Sequence, residues 1–471
     1  MRAVAMRILS PARWRPVAAV ALALASTLAH AALPIEHWRT SNDVPVYFVR
    51  ADAIPMLDVS VLFDAGARRD PPARPGVASM VGRMLDKGAG ALDETELSES
   101  FARIGARLGG GAGTDRASVS IRTLSEPSVR DRAIELTSLV IASPRFDPAI
   151  LDREKTRLAQ ALAQSLTQPA TIAQRQLDEL LYPDHPYGRN PDPAAIEAIG
   201  VEDLRAFHRR HYVARGAVVA MIGAIDRAEA ERIAERLVGG LPAGDPPDPL
   251  PPVGEGSPGV EVRIAHPASQ SHILLGMPAL TRSDPDYFPL YVGNYVLGGG
   301  GFVSRLYDEV REKRGLAYSV YSYFMPMRQP GPFLVGLQTS KEQTDEALEL
   351  VRSTIRRFVH EGPTEEELAA AKSNLVGGFA LRIDSNAKIL GQLALIGDEG
   401  LPLDWLDVWI ERVEAVTLEQ VREAFRRRID PDRLSTVVVG AGPESEANAA
   451  AEGPAGDGAA VPAATPGGGR Q

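Results

Sequence analysis

Alternation of apolar and polar positions predicts β-strands in the first half of the chain. Residues 57–63 and 117–124 alternate with period two, which is typical of a half-buried strand. Apolar residues spaced three and four apart elsewhere predict amphipathic helices. Together these patterns predict further strands over 44–49 and 217–222, and helices over 76–87, 94–108, 128–142, 148–166 and 201–211.

From Val260 onward the chain repeats this order of elements. VEDLRAFHRRHY, starting at Val201, resembles TLEQVREAFRRRI, starting at Thr417, and both segments precede apolar strands. RAIELTSLVI from Arg132 matches EALELVRSTI from Glu346 in its apolar placement. Since strands and helices follow one another without strict βαβ alternation, we expect an α+β fold of two tandem homologous domains. Each domain is predicted to contain an antiparallel-rich sheet with helices on one face.

Composition places the domain boundaries. Residues 245–258 hold six prolines and three acids, which is typical of a semi-rigid linker. The predicted domains therefore span 32–244 and 259–442. Residues 443–471 are Ala, Gly, Pro and Glu with almost no bulky apolar side chain, and are predicted to be a disordered tail.

The first 31 residues resemble a targeting segment. Four arginines precede an apolar run over 17–29, and Ala29-His30-Ala31 fits a small-residue cleavage site. The run is short for a bilayer span, so we predict a cleaved signal peptide, export to the periplasm and no stable membrane insertion of the mature chain. An inner-membrane anchor formed by an uncleaved signal is the alternative.

Charge and cysteine content exclude several classes of function. The formal net charge of −10 argues against nucleic acid or an anionic membrane as the main partner. The chain has no cysteine, which excludes thiol catalysis, disulfides and cysteine-based zinc sites.

The stretch over 297–323 carries the clearest candidate chemistry. Gly298 to Gly301 is predicted to be a flexible loop, followed by a helix that places Leu306, Val310 and Phe302 on one face. Gly315 is predicted to end this helix, and residues 317–324 are predicted to form a strand.

Within that stretch, Arg311 falls at the helix end and Tyr318 at the strand start. An arginine donor and a tyrosine hydroxyl that converge on one cleft suit a peptide carbonyl or a developing oxyanion. Spacing alone leaves open that both are ordinary surface or packing residues.

The chain resembles the pitrilysin/insulinase superfamily of zinc proteases, in its mitochondrial-processing-peptidase-like branch. The matching phrases are FDAGARRDPPARPGVA, MLDKGAG, DHPYGRNPDP, EDLRAFHRRHY and LGGGGFVSRLYDEVREKRGLAYSV. The resemblance covers nearly all of the mature chain. It implies two roll-like domains that form a clam-shell chamber on dimerisation, in which an unfolded peptide adds as a strand to a sheet edge.

The family's zinc residues are missing from this chain. Members of the family bind Zn²⁺ through an inverted His-x-x-Glu-His motif on the first helix and a glutamate on a later helix. Aligned on those phrases, the motif positions hold Ser79, Gly82 and Arg83, and the third ligand position holds Ala161. Glu154 matches a supporting acid of the family, or is simply a solvated helix residue. A serine hydroxyl is a poor zinc ligand, arginine repels a dication, alanine offers no ligand, and glycine cannot replace the motif glutamate as general base, so this chain is expected to bind no metal of its own.

The substrate-binding residues of the family are present. The resemblance places the family's arginine and tyrosine, which hold the substrate backbone, on Arg311 and Tyr318. It also places the strand-pairing edge on Gly111, Ala112, Gly113 and Thr114. A glycine-rich loop that contacts substrate in relatives corresponds to Gly299 and Gly300, for which a simple hinge is the alternative.

Other candidate motifs favour ordinary packing. His208 and His211 share a helix face but lack a third ligand, and His185, His266 and His272 are read as loop or strand residues. Gly109 to Gly113 is followed by neither a lysine nor a helix that would support phosphate binding.

The sequence therefore predicts an exported, zinc-less subunit of a heterodimeric metalloendopeptidase. Its partner would be a paralogue with an intact zinc motif, which supplies the zinc, and its substrate a peptide or unfolded polypeptide. The alternative is a structural or peptide-holding homologue without protease activity, which would form a dimer with itself.

Overall fold

A computed structural model describes residues 34–254 and 259–440. The predicted signal peptide and tail lie outside the described residues, as does the end of the predicted linker. No helix within the described ranges is both long enough and apolar enough to cross a membrane.

Eleven strands in the described residues form two sheets. The strands are β1 (Glu36–Arg39), β2 (Pro45–Arg50), β3 (Met56–Phe63), β4 (Arg107–Ala112), β5 (Ala117–Leu124), β6 (Val218–Gly223), β7 (Glu261–Ala265), β8 (Gln270–Leu280), β9 (Val320–Phe324), β10 (Gly331–Ser340) and β11 (Ser435–Gly440).

The two sheets share one topology. The first has the order β1-β2-β6-β3-β5-β4 and the second has the order β7-β11-β8-β10-β9. In each sheet one pair is parallel, β2 with β6 and β7 with β11, and the later strand of that pair lies antiparallel to its other neighbour. Apart from the additional β1, the second order is the first repeated, which confirms the predicted duplication. β4 and β9 are the corresponding edge strands.

Fifteen α-helices are described, and they follow the strands in the same order in both halves. They are α1 (Val77–Met84), α2 (Glu94–Arg103), α3 (Pro127–Ala142), α4 (Pro148–Ser165), α5 (Pro169–Leu181), α6 (Pro193–Glu197), α7 (Val201–His211), α8 (Arg227–Val238), α9 (Tyr287–Asn294), α10 (Arg305–Tyr307), α11 (Thr344–Glu361), α12 (Glu365–Gly377), α13 (Asn386–Glu399), α14 (Trp405–Ala415) and α15 (Leu418–Arg428).

Local chemistry explains where these elements begin and end. Asp93 and Glu96 form a capping box at the start of α2, and the Asp147 carboxylate caps α4. The helix predicted over 94–108 instead ends at Arg103, because Gly105 adopts a left-handed φ of 64°. The chain then enters β4, so the end of that prediction is wrong.

Each sheet buries its second face under a helix from the opposite half. Leu177 and Leu181 of α5 pack against Val437 and Val439 of the second sheet. In return, α13 packs on the first sheet, where a Cβ on Gly397 would lie 2.4 Å from the Val218 side chain. The sequence predicted helices on one face only and did not predict this exchange. Because α5 and α13 cross between the halves, the boundaries at 244 and 259 stay predictions.

A buried ionic network joins the two halves around Asp115. The Arg68 guanidinium, 4% exposed, lies between the carboxylates of Asp64, at 2.7 Å, and Asp115. Asp115 also accepts the backbone N–H of Arg328 at 3.0 Å, and the Arg328 side chain pairs with Asp398 at 2.6 Å. The loop that carries the phrase FDAGARRD therefore anchors the second half to the first.

This network makes stability depend on pH. Burial alone would raise the pKa of Asp64, but hydrogen bonds and charge from Arg69 and Arg68 outweigh it and hold that pKa well below its ordinary value of 3.8. A depressed carboxylate pKa stabilises the fold above the unfolded value and loses that contribution as pH falls toward the folded value. We expect the free energy of unfolding, measured by denaturant titration, to drop as pH falls below about 4. In Asp64→Asn the drop should be shallower, and an unchanged acid slope would contradict this assignment.

Candidate functional site

A groove of about 590 Å³ lies against the edge strand of the second sheet. We call it the second-half groove. Its lining residues come from β9, α9 and the segments beside them: Tyr291, Asn294, Tyr295, Gly298, Gly299, Gly301, Phe302, Tyr307, Arg311, Tyr318, Ser319, Val320, Tyr321, Ser322, Tyr323, Leu375 and Arg382. The free edge of β9 offers backbone groups to an added strand.

Arg311 and Tyr318 meet at the mouth of this groove. The helical segment that carries Arg311, Asp308–Glu312, is followed by a turn to Gly315, whose φ of 65° redirects the chain. The turn is closed by the Leu316 N–H, which donates to the Val310 carbonyl at 2.9 Å. As a result the Arg311 guanidinium lies over the Tyr318 ring, with 4.6 Å between its Cζ and the ring centroid. Tyr318 is 79% exposed, so its hydroxyl is free to meet a ligand.

The surroundings of this pair differ from the sequence prediction in two details. Leu306 and Val310 are fully buried, as expected, but Phe302 is 76% exposed and lies outside that apolar face. Tyr318 precedes β9, which begins at Val320 rather than at 317. The Arg311 guanidinium also lies 4.8 Å from the Tyr307 ring centroid, so an aromatic wall supports it from the groove side.

The glycine run is more ordered than predicted. Gly298 and Gly299 belong to a wide helical turn, Tyr295–Gly299, and Gly301 opens a further 3-10 turn, so the prediction of a flexible loop is wrong. The reason is close packing: a Cβ on Gly298 would lie 2.3 Å from the Ser322 hydroxyl. Gly299 lines the groove, whereas Gly300 packs on Tyr295 instead.

The polar groups behind the groove already have partners. Asn294 donates to the Ser322 carbonyl at 3.0 Å and accepts from the Ser322 hydroxyl at 2.7 Å. Burial raises the pKa of Tyr321 and of Tyr323, so both hydroxyls stay protonated at neutral pH. Charge in the groove therefore comes from the arginines.

The first half has a smaller groove at the corresponding position. This first-half groove, about 260 Å³, is lined by α1, by the edge strand β4 and by Glu154 of α4. α1 begins where the Asp70 carboxylate accepts the N–H groups of Gly76 and Ala78, at 2.6 and 2.7 Å. Gly82 and Arg83 of α1 face the groove, together with Gly109, Gly110 and Gly111.

The predicted pairing edge is divided between a strand and a turn. Gly111 and Ala112 lie on β4, at the edge of the first sheet. The carbonyls of Gly113 and Thr114 accept the N–H groups of Ala67 and Arg68, at 2.9 and 3.0 Å. Gly113 and Thr114 are the more exposed pair, but because their carbonyls already accept these bonds, we expect a peptide strand to pair with Gly111 and Ala112 instead.

The residues at the family's zinc positions do not fit a zinc ion. Ser79 is half-buried, Arg83 is exposed, and Ala161 is exposed and absent from the groove lining. The one carboxylate in place, Glu154, accepts from Arg153 and Arg157 at 3.0 Å each. Over residues 34–254 and 259–440, no three His, Cys, Asp or Glu side chains cluster as metal ligands.

Gly82 packs closely against the backbone of the edge strand β4, which leaves little room for a side chain. A Cβ there would lie 3.2 Å from the Gly111 Cα and from the Ala112 N–H nitrogen, both in the β4 backbone. We expect Gly82→Glu to lower the free energy of unfolding by about 1–3 kcal/mol, because the side chain must displace the edge strand. The exposed Ala161→Glu should change it by about 0.5 kcal/mol or less. If Gly82→Glu instead stabilises the chain, as helix propensity alone predicts, the close packing is refuted.

The histidines make packing contacts. The His208 ring contacts the Ile141 carbonyl at 2.8 Å and stacks on Tyr212, and burial lowers its pKa. Buried His185 accepts the Tyr187 N–H at 3.2 Å, which holds its turn. His266 contacts the Thr167 carbonyl at 3.1 Å.

Three residues of the second-half groove region carry no signal in the sequence. Arg382 and Tyr291 line the groove, and Trp409 lies under Arg382. They come from three separate helical segments, and no local spacing connects them.

Two duplicated sheets, each with a groove along its edge strand, define a peptidase-like fold. Residues 49–191 match the family described as Insulinase (Peptidase family M16), and residues 198–375 match the family described as Peptidase M16 inactive domain. The crystal structure of a peptidase M16 inactive domain from Pseudomonas fluorescens is 36% identical, with a TM-score of 0.84, and the match covers 87% of this chain and 98% of that one. The chain belongs to peptidase family M16.

More distant relatives carry both kinds of description. An uncharacterized zinc protease from Streptomyces coelicolor is 27% identical over 388 residues, 80% of this chain and 83% of that protein. A non-peptidase homolog from Helicobacter pylori is 24% identical over 403 residues, 84% of this chain and 91% of that protein. The inactive-domain and non-peptidase descriptions support a non-catalytic member of the family.

Proposed function

We propose that this chain is the exported, substrate-binding subunit of a heterodimeric zinc metallopeptidase. The observation that carries the proposal is the asymmetry between the two grooves. At the zinc positions of the first half the ligands are replaced, while in the second half Arg311 and Tyr318 are held together beside a free sheet edge. A chain that retains substrate-binding groups but not the metal fits half of a divided active site.

Peptide binding follows from the edge strands. An extended segment that pairs with β9 obtains backbone hydrogen bonds and lies across the second-half groove. β4, with Gly111 and Ala112 at its edge, offers the same geometry in the other half, where glycines allow close approach of a backbone. Because main-chain bonds supply the affinity, this mode suits unfolded polypeptides of varied sequence.

Arg311 is positioned to donate hydrogen bonds to a peptide carbonyl. Its guanidinium is oriented by the Tyr307 and Tyr318 rings, and its one carboxylate neighbour among residues 34–254 and 259–440, Glu312, is 3.9 Å away and 59% exposed. N–H groups that are not consumed by a close ion pair can donate to a peptide carbonyl and to the oxyanion that develops from it. Tyr318 would orient the same carbonyl, while a paralogous partner would supply zinc, activated water and the general base.

The predicted targeting segment supports a periplasmic location for this assembly. Its alternative, an anchor in the inner membrane, leaves the peptide-binding role unchanged. A structural or peptide-holding role without proteolysis is the second candidate function. The fully substituted zinc positions and the non-peptidase description of the Helicobacter pylori relative favour that candidate.

The two candidates differ in what co-expression produces. Peptidase activity and bound zinc are measured for this chain alone and after co-expression with a paralogue that carries an intact His-x-x-Glu-His motif. Activity with about one zinc per pair, only in the co-expressed sample, supports the subunit. Stoichiometric zinc and cleavage by this chain alone refute the degenerate site, and inactivity in both samples favours the peptide-holding role.

A further inference from the structure

Arg382 contributes a second positive charge to the second-half groove, away from the Arg311–Tyr318 pair. It ends the 3-10 turn Phe379–Arg382, directly after α12, and donates to the Tyr291 hydroxyl. Its Cζ lies 5.0 Å from the Trp409 ring centroid. Trp409 is 4% exposed and stacks on Phe379 at 4.9 Å, so the guanidinium rests on a fixed aromatic base.

No acid of the described residues neutralises this arginine. No carboxylate lies within 4.0 Å of its guanidinium in residues 34–254 or 259–440. The acid nearest in sequence, Asp384, pairs with Lys388 at 2.9 Å. Asp and Glu are also absent from the lining of the second-half groove, which therefore holds two arginines in an otherwise aromatic and small-residue wall.

Exposed apolar side chains concentrate around the same groove. Those in the described residues with more than a third of their surface exposed include seven that lie on its rim or in adjoining turns: Phe302, Val303, Tyr318, Tyr321, Tyr323, Met325 and Leu381. Tyr321 and Tyr323 stack at 5.9 Å along β9, so side chains of an added strand would meet aromatic surface on one side. A clustered aromatic surface with an unpaired arginine suits an anionic group beside an apolar one.

Resting on the proposed function, we infer that Arg382 is a specificity-determining residue that selects peptides with a carboxylate in the second-half groove. A guanidinium binds a carboxylate through paired N–H groups, and its stacking on Trp409 fixes their direction in advance. The carboxylate is either an acidic side chain or the terminus of the peptide. Arg311 binds the peptide backbone, and Arg382 binds the peptide carboxylate.

The test is fluorescence anisotropy of the full chain with three labelled peptides. The first carries one glutamate beside a phenylalanine and an amidated terminus, the second has glutamine in place of that glutamate, and the third is the glutamine peptide with a free terminal carboxylate. We expect at least one carboxylate peptide to bind about tenfold more tightly than the neutral peptide, an advantage that falls with added salt. Which of the two does so identifies the source of the carboxylate.

Variants then assign the effect to this residue. In Arg382→Gln the carboxylate advantage should disappear while the neutral peptide keeps its affinity, and Arg382→Lys should restore part of the advantage. Arg103→Gln, at a 75% exposed arginine on α2, is the matched control and should change nothing. Equal binding of all three peptides, or an advantage that survives Arg382→Gln, overturns the inference alone. Failure of every peptide to bind overturns the proposed function as well.

Discussion

Replacing Arg311 with alanine is expected to lower kcat/KM of the reconstituted two-chain enzyme by about 30- to 1,000-fold, which corresponds to about 2–4 kcal/mol of transition-state stabilisation. Loss of one preorganised donor to an oxyanion has a cost of this size. Arg311 qualifies because its guanidinium lies within 5 Å of the ring centroids of both Tyr307 and Tyr318, which orient it before charge develops.

Arg314 provides the matched control. It lies near the same helix end and is 56% exposed, with Glu346 as a distant partner at 3.8 Å. Arg314→Ala should leave kcat/KM within about twofold, because a surface ion pair contributes little. Steady-state kinetics on a fluorogenic peptide measures both variants. Equal losses in the two would show that general positive charge, rather than the Arg311 donor, supports catalysis.

Replacing Arg68 with methionine is expected to lower the free energy of unfolding by about 3–5 kcal/mol. The substitution preserves much of the side-chain length but removes the buried cation that lies between the half-buried carboxylates of Asp64 and Asp115. Asp115 must also keep accepting the Arg328 N–H from the other half, so the loss extends across the contact between the halves.

Arg74→Met, at a 41% exposed arginine that pairs with Asp203 at 3.4 Å, is the control. We expect it to change the free energy of unfolding by about 1 kcal/mol or less. Denaturant unfolding at neutral pH compares the two variants. A loss in Arg68→Met no larger than in Arg74→Met would mean that the network contributes little to holding the halves together.

Much of the fold could be predicted from the sequence, because the patterns that mark its strands and helices are local. The strand over 117–124 and the helix over 201–211 are confirmed at both ends, since apolar periodicity marks them. The duplication was predictable from matching phrases such as those at Val201 and Thr417, whereas the order of strands within each sheet was not predicted.

What the sequence did not predict depends on contacts between distant segments. The exchange of α5 and α13 requires a long-range fit, such as that of Gly397 against Val218, which no periodicity reveals. The glycines of the 298–301 run imply freedom when read alone, yet Gly298 is fixed by its close approach to Ser322.

The candidate site likewise has residues that the sequence predicts and one that it does not. Family phrases locate Arg311 and Tyr318, and the cation–π contact between them shows that a fold can bring together residues seven apart. Arg382 could not be located, because its role comes from Trp409 and Tyr291, which lie on other helices.

Titrating this chain into a fixed amount of the zinc-motif paralogue, while measuring peptidase activity, tests most directly whether one active site is divided between two chains. We expect activity to rise from near zero and to saturate at one chain per paralogue, and not to rise with the Arg311→Ala chain. Full activity of the paralogue alone, unchanged by any amount of this chain, would contradict this expectation.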